Sequence, residues 1–195
     1  MKYRLYHILR PIAVFLLKLI YRIKIVNKEY IPKSGPILFV GNHKHNYDFI
    51  SLISGTKRMV HFIAKKELVD KHGWLFGNLG LIPVDRSKKN KDAVIEAVNM
   101  LKNGEIVGIF PEGTLNKTEY IVMPFKYGAV KIASLCDCPI VPFAIVGEYK
   151  RFRKGLKIIF DKPYYVNDKQ DLTKENIKLM NRIIKLLREK DEKTK

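Results

Sequence analysis

Residues 36–55 read PILFVGNHKHNYDFISLISG. The apolar run Ile37–Val40 is bounded by Pro36 and Gly41, the pattern of a short buried strand. A polar stretch follows, NHKHNYD, which holds His43, His45 and Asp48. FISLISG then turns apolar again, for long enough to form a short helix. Strand, polar turn and helix in succession make the repeating step of an α/β sheet, because a helix can carry the chain back to start a parallel neighbour.

The same alternation continues outward. Upstream, YRIKIV is strand-like and joins PILFV through a turn containing Pro32, Gly35 and Pro36. Downstream, MVHFIA (Met59–Ala64) and LIPV (Leu81–Val84) read as strands. Between them KKELVDKHGWLFGNLG reads as a helix running into a glycine-rich turn. Val94, Ala97, Val98 and Leu101 fall on one face of a helix over Asp92–Lys102, with Gly104 as its stop signal. EIVGIF is a strand ended by PEGT, YGAVKIASLC a helix, and PIVPFAIVG and LKIIF strands. Thr173 can cap a last helix that places Ile177, Met180, Ile183, Ile184 and Leu187 on one face. The expected fold is a single α/β domain over residues 23–190, a mixed, mostly parallel sheet flanked by helices. An amphipathic N-terminal helix precedes it over 1–22, and a polar tail follows over 191–195.

The chain has 195 residues, 47% of them hydrophobic, enough for one domain with a sizeable core. Its charge is lopsided: 37 Lys and Arg against 19 Asp and Glu, a formal +18. That excess concerns partners rather than fold, and points to nucleic acid, an anionic membrane surface or acidic substrates. Nucleic acid fits worst, because the aromatics are dispersed, the basic residues spread along the whole chain, and no nucleic-acid motif is present. Cys136 and Cys138 are spaced C-x-C with no second pair to complete a zinc site. They read as buried, reduced thiols on adjacent strand residues, in keeping with a reducing compartment. The most apolar window, Pro11–Tyr21, is broken by Lys18 and falls short of the roughly 20 apolar residues of a spanning helix. No small-residue cleavage site follows it, so a cleavable signal peptide is not expected. On a helical wheel Arg4, His7, Lys18 and Arg22 fall on one side, while Ile8, Ile12, Phe15, Leu16 and Leu19 lie largely away from them. Such a helix either packs on its own domain or lies in a membrane interface with its basic stripe facing lipid phosphates; the charge excess favours the membrane.

His43 and Asp48 are five positions apart, about 140° round a regular helix, so they meet only if the loop folds back at the strand end. A carboxylate on one ring nitrogen then fixes the tautomer and leaves the other nitrogen to accept a proton. Such a histidine is a general base, worth about 10²–10⁴ in rate. No G-x-S-x-G occurs, so the nucleophile has to be the substrate's own hydroxyl. A second reading makes His43, His45 and Asp48 metal ligands, but no fourth strong ligand is evident nearby, and a metal is not expected. A third leaves Asp48 or Asn46 as a helix cap and His45 as a solvated loop residue. Arg86, in VDRSKK after a strand, can make bidentate bonds to a phosphate, with Lys88 and Lys89 adding charge. In FPEGT, Gly113 permits a tight turn and Glu112 projects at a strand end, where α/β sheets bind ligands.

NHKHNYD, IPVDR, FPEGT and IVPFAIVG, in that order, resemble the four sequence blocks of the glycerolipid acyltransferases, in particular the bacterial 1-acylglycerol-3-phosphate acyltransferases. FIAKKEL, GNLGLIPVDR and MPFKYGA add to the likeness, which covers about Ile25 to Phe160. The resemblance implies transfer of an acyl chain from a thioester to a glycerol hydroxyl. His43 would deprotonate the hydroxyl and Asp48 would orient His43. Arg86 would bind the acceptor phosphate, Glu112, Gly113 and Thr114 would shape the acceptor site, and Pro142 would support the acyl-donor side. It implies no metal and no bound cofactor, since coenzyme A or an acyl carrier protein comes as part of a co-substrate. Lysophosphatidic acid and an anionic membrane surface are the implied partners, at the cytoplasmic face of the cell membrane, with the protein peripheral or monotopic. Leu115 stands where the family commonly has arginine, and Lys44-His45 where it often has Arg-Ser. One phosphate contact is then missing, or supplied by Lys117 or Lys126. Another acceptor is the near alternative: glycerol 3-phosphate, a lysophospholipid or an amino-lipid. A non-catalytic basic binding protein and a metal hydrolase built on His43 and His45 are the distant ones.

Overall fold

The computed structural model describes residues 3–67, 73–84 and 91–189. In chain order these form α1 (Arg4–Tyr21), β1 (Lys24–Val26), a 3₁₀ turn (Lys28–Tyr30), β2 (Ile37–Gly41), α2 (Asp48–Gly55), β3 (His61–Lys65) and α3 (Gly73–Asn78). There follow β4 (Ile82–Val84), α4 (Lys91–Lys102), β5 (Ile106–Ile109), α5 (Gly128–Cys136), β6 (Ile140–Val146), β7 (Lys157–Phe160) and α6 (Leu172–Arg188). The strands make one sheet in the order β1-β7-β6-β2-β5-β3-β4. β6 and β7 pair antiparallel and the other neighbours parallel. This is the expected α/β sheet, mixed but mostly parallel.

β2 is buried along its whole length because both of its faces are covered. Ile37 and Phe39 join Val14 and Leu17 of α1, Leu52 of α2 and Phe143 of β6. Leu38 and Val40 join Leu101 of α4, Ala129 of α5 and Leu179 of α6 on the other face. A strand sandwiched this way needs no polar alternation, so its sequence is a continuous apolar run. Gly41 ends it because any Cβ there would collide with the Phe143 ring.

Three expectations change in detail. α6 is capped by Asp171, whose carboxylate accepts from the Lys174 N–H, and Thr173 lies inside the helix. Its buried face is Asn176, Leu179, Ile183 and Leu186, whereas Ile177 is exposed. The face is rotated because Asn176 enters the core and donates to the Phe125 carbonyl, a contact that counting apolar residues cannot register. Cys136 is the last residue of α5 rather than part of a strand. Asp137 turns the chain through left-handed backbone and brings Cys138 back to 2.9 Å between sulfurs. Both thiols are free.

α1 has two working faces. Tyr6, Val14, Leu17 and Tyr21 are buried, and the Arg10 guanidinium donates to the Ile53 and Thr56 carbonyls at the end of α2. Ile8, Ile12, Phe15, Leu16 and Leu19 remain exposed. No described helix is long and apolar enough to cross a membrane. Residues 68–72, Arg86 with Lys88 and Lys89, and the tail over 191–195 lie outside the described residues.

Candidate active site

Asn42 sets up the site where β2 leaves the sheet. Its side chain accepts from the Ile145 N–H at 2.8 Å and donates to the Ile145 carbonyl at 3.2 Å, imitating one more residue of strand pairing. His43 follows, and its backbone is clamped on both sides. Its N–H donates to Glu112 Oε1 at 2.8 Å, and its carbonyl accepts from the Asn116 N–H at 2.7 Å.

The loop then folds back as the five-residue spacing requires. Asp48 opens α2 and is fully buried. Its Oδ2 accepts from His43 Nδ1 at 2.9 Å, from the Lys44 N–H at 2.7 Å and from the His45 N–H at 2.8 Å. Its Oδ1 accepts from the Tyr149 hydroxyl at 2.7 Å. A buried carboxylate at the first turn of a helix, surrounded by donors, is the environment that holds a negative charge. Because Oδ2 can only accept, the proton of the neutral His43 ring sits on Nδ1, assigned from this network. Nε2 is left with no hydrogen-bond partner among the described residues. The ring lies flat on Phe110, 4.2 Å between centroids, which fixes its plane.

Glu112 differs from its expected place at an acceptor surface. It is buried, and its two oxygens take the His43 and Met123 N–H groups, each at 2.8 Å. Burial pushes its carboxyl above the usual carboxylate range, against the pull of those two N–H groups and of nearby His43 and Lys44. It therefore works from behind, pinning the backbone of His43. Gly113 has φ 72, and a Cβ there would press on the Lys126 side chain, whose Nζ would be 2.9 Å away. Thr114 and Lys117 are exposed and Leu115 is half-buried. Lys126 is exposed beside Gly113, its own N–H bonded to the Pro111 carbonyl. Pro142 is buried within β6, opposite Val40 of β2.

His45 is not simply a solvated loop residue. It is half-buried, stacks on Tyr149 at 4.4 Å, and accepts from the Tyr47 N–H through Nδ1. Among the described residues no three His, Cys, Asp or Glu side chains are grouped to hold a metal ion. Arg86, the expected phosphate ligand, lies outside the described residues. Reading the sequence missed Asn42, Asn116 and Tyr149. Asn42 opens the quoted NHKHNYD without having been given a role, and Asn116 lies two residues past FPEGT. Tyr149 follows the fourth block within GEYK, and nothing local ties it to Asp48.

Residues 22–146 match the model of the acyltransferase family. The chain belongs to this family. It is 34% identical over 153 residues to the 1-acyl-sn-glycerol-3-phosphate acyltransferase of Bacillus subtilis, covering 75% of each chain. It is 33% identical over 179 residues to the probable 1-acyl-sn-glycerol-3-phosphate acyltransferase of Mycoplasma pneumoniae, covering 79% of this chain and 66% of that one. The crystal structure of the 1-acyl-sn-glycerophosphate acyltransferase PlsC from Thermotoga maritima superposes with a TM-score of 0.70 at 22% identity. That match covers 95% of this acyltransferase and 82% of PlsC, and shows that the two share a fold.

Proposed function

We propose that the chain transfers a fatty acyl group from an acyl thioester to the sn-2 hydroxyl of 1-acylglycerol-3-phosphate, forming phosphatidic acid for phospholipid synthesis. One observation carries the chemistry: a histidine whose Nδ1 is held by a buried carboxylate and whose Nε2 has no hydrogen-bond partner among the described residues. The choice of acceptor rests on the names of the relatives.

In this reading Nε2 of His43 takes the proton of the acceptor hydroxyl as its oxygen bonds to the thioester carbonyl carbon. Asp48 keeps the ring in one tautomer and stabilises the imidazolium that forms. The tetrahedral intermediate collapses by breaking the C–S bond. The thiolate of coenzyme A or of an acyl carrier protein leaves and recovers the proton from Nε2. The residues transfer only protons, so the scheme calls on no metal or resident cofactor. Arg86, Lys126 and Lys117 are the cations proposed for the acceptor phosphate, with Gly113 and Thr114 beside the glycerol.

The same reading seats the enzyme on the cytoplasmic face of an anionic membrane. The exposed apolar row of α1 and the net charge of +18 support that placement. A groove of about 400 Å³, lined by Leu16, Leu17, Ile20, Tyr21, Tyr47 and Ile50, supports an acyl chain lying between α1 and α2.

The test is acyl transfer from a palmitoyl thioester to 1-acylglycerol-3-phosphate on mixed micelles. Turnover by the unsubstituted protein should fall by about 10²-fold or more in His43→Ala, with the circular dichroism spectrum unchanged. Equal turnover in the variant would remove His43 from the role of base.

A further inference from the structure

We propose that Tyr149 is a positioning residue for the His43–Asp48 pair, setting the plane of the carboxylate that holds the imidazole; this rests on His43 acting as the base. The observation is how the donors divide between the two oxygens of Asp48. Oδ2 receives three: His43 Nδ1, the Lys44 N–H and the His45 N–H. Oδ1 receives the Tyr149 hydroxyl alone among the described residues, at 2.7 Å. Donors crowded on one oxygen fix that atom but leave the group free to turn about Cβ–Cγ, a broad torsion in aspartate. A hydroxyl on the second oxygen stops the rotation. Asp48 is fully buried, so bulk water does not reach Oδ1 to take the hydroxyl's place.

Tyr149 is itself held on several sides. Ser51 Oγ lies 2.7 Å from its oxygen. With the phenolic proton given to Asp48, the serine must be the donor there. The ring stacks on His45 and meets Tyr21 of α1 edge-on at 5.3 Å. Burial, and then the Asp48 charge, push the phenol's titration far upward, so it stays a donor at working pH. The turn that delivers it starts at Gly147, which has φ 93 and packs against the Gly155 carbonyl with no room for a Cβ. The hydroxyl has two effects: it aligns Oδ2 with His43 Nδ1, and it draws charge from the carboxylate. Without it, Asp48 would stabilise the imidazolium more strongly but at poorer alignment.

Tyr149→Phe keeps the ring and its stacks and removes only the hydroxyl. The expected result is a kcat about tenfold lower with the acceptor KM within about twofold, since the loss is felt in the transition state. The acidic limb of the kcat/KM profile should move to higher pH. The low-field Nδ1 proton resonance of His43, identified by its disappearance in His43→Ala, should move upfield, because a misaligned hydrogen bond is a weaker one. Ser51→Ala, one bond further out, should shift the same two signatures by less, and it carries the test if Tyr149→Phe does not fold. An unchanged pH profile and resonance would overturn the proposal. So would a kcat loss that comes with a lower Tm and neither signature, which marks a purely structural tyrosine. If the unsubstituted protein transfers no acyl group to 1-acylglycerol-3-phosphate, the proposed reaction is what fails, and the resonance alone decides on Tyr149.

Discussion

Glu112 shows how a single residue can be legible as important and illegible in role. FPEGT marks it at a strand end, but its task depends on the Met123 N–H, eleven residues on, and on the His43 N–H across the sheet. Neither is visible from the motif. Its burial makes a test with a definite sign. A carboxyl whose titration is raised on folding adds most to stability below its unfolded value, near 4.5, and loses that contribution as pH rises through its native value. In Glu112→Gln this slope is absent. The stability of the unsubstituted protein relative to Glu112→Gln should therefore be highest in acid and shrink toward neutral pH, measured by urea unfolding from pH 4 to 8. A difference independent of pH would mean that the carboxyl titrates normally. His43 and Asp48, by contrast, could be paired from the sequence, because strand, short loop and helix leave one way for the two to meet. Tyr149 reaches the same carboxylate from the end of β6, and its partner was therefore out of local reach.

At the scale of elements, the strands were the most legible part. Ile37–Val40, Ile106–Ile109 and Ile140–Val146 are covered on both faces, and that burial writes itself as unbroken apolar runs. α6 was harder. Two adjacent helical rows carry apolar residues, and the buried one includes Asn176. The cap decides between readings in a direct way: Asp171→Ala should cost about 1 kcal/mol, while Thr173→Ala should change thermal unfolding little. α1 calls for substitution rather than removal. Deleting it would strip Val14, Leu17 and Tyr21 from the core and confuse unfolding with loss of docking. Replacing Ile12, Phe15 and Leu19, which are 53%, 63% and 55% exposed, by serine leaves that packing alone. The triple variant should keep its Tm and lose at least tenfold in affinity for anionic vesicles, given about 1.5–3 kcal/mol for full burial of each such side chain. Undiminished vesicle sedimentation would take α1 out of membrane docking.

Over the whole molecule, charge and apolar surface make separable contributions. The excess of +18 acts through a screening length of about 10 Å at 0.1 M salt. Binding to vesicles containing anionic lipid should weaken steeply between roughly 0.05 and 0.5 M salt, in the unsubstituted protein and the serine variant alike. The remainder at high salt should be present only in the former; a salt-independent isotherm would rule out an electrostatic share. The apolar groove beside α1 is bounded by Tyr21 and Tyr47. Both rings pack against Tyr149, and Tyr47 immediately precedes Asp48. An acceptor that enters with its tail in that groove keeps the tail in an oily setting rather than in water. Such an enzyme responds to how many acceptor molecules share each patch of interface, not to how many share each litre. Spreading a fixed amount of acceptor among more inert surfactant would slow it, although the flask's contents per volume had not changed.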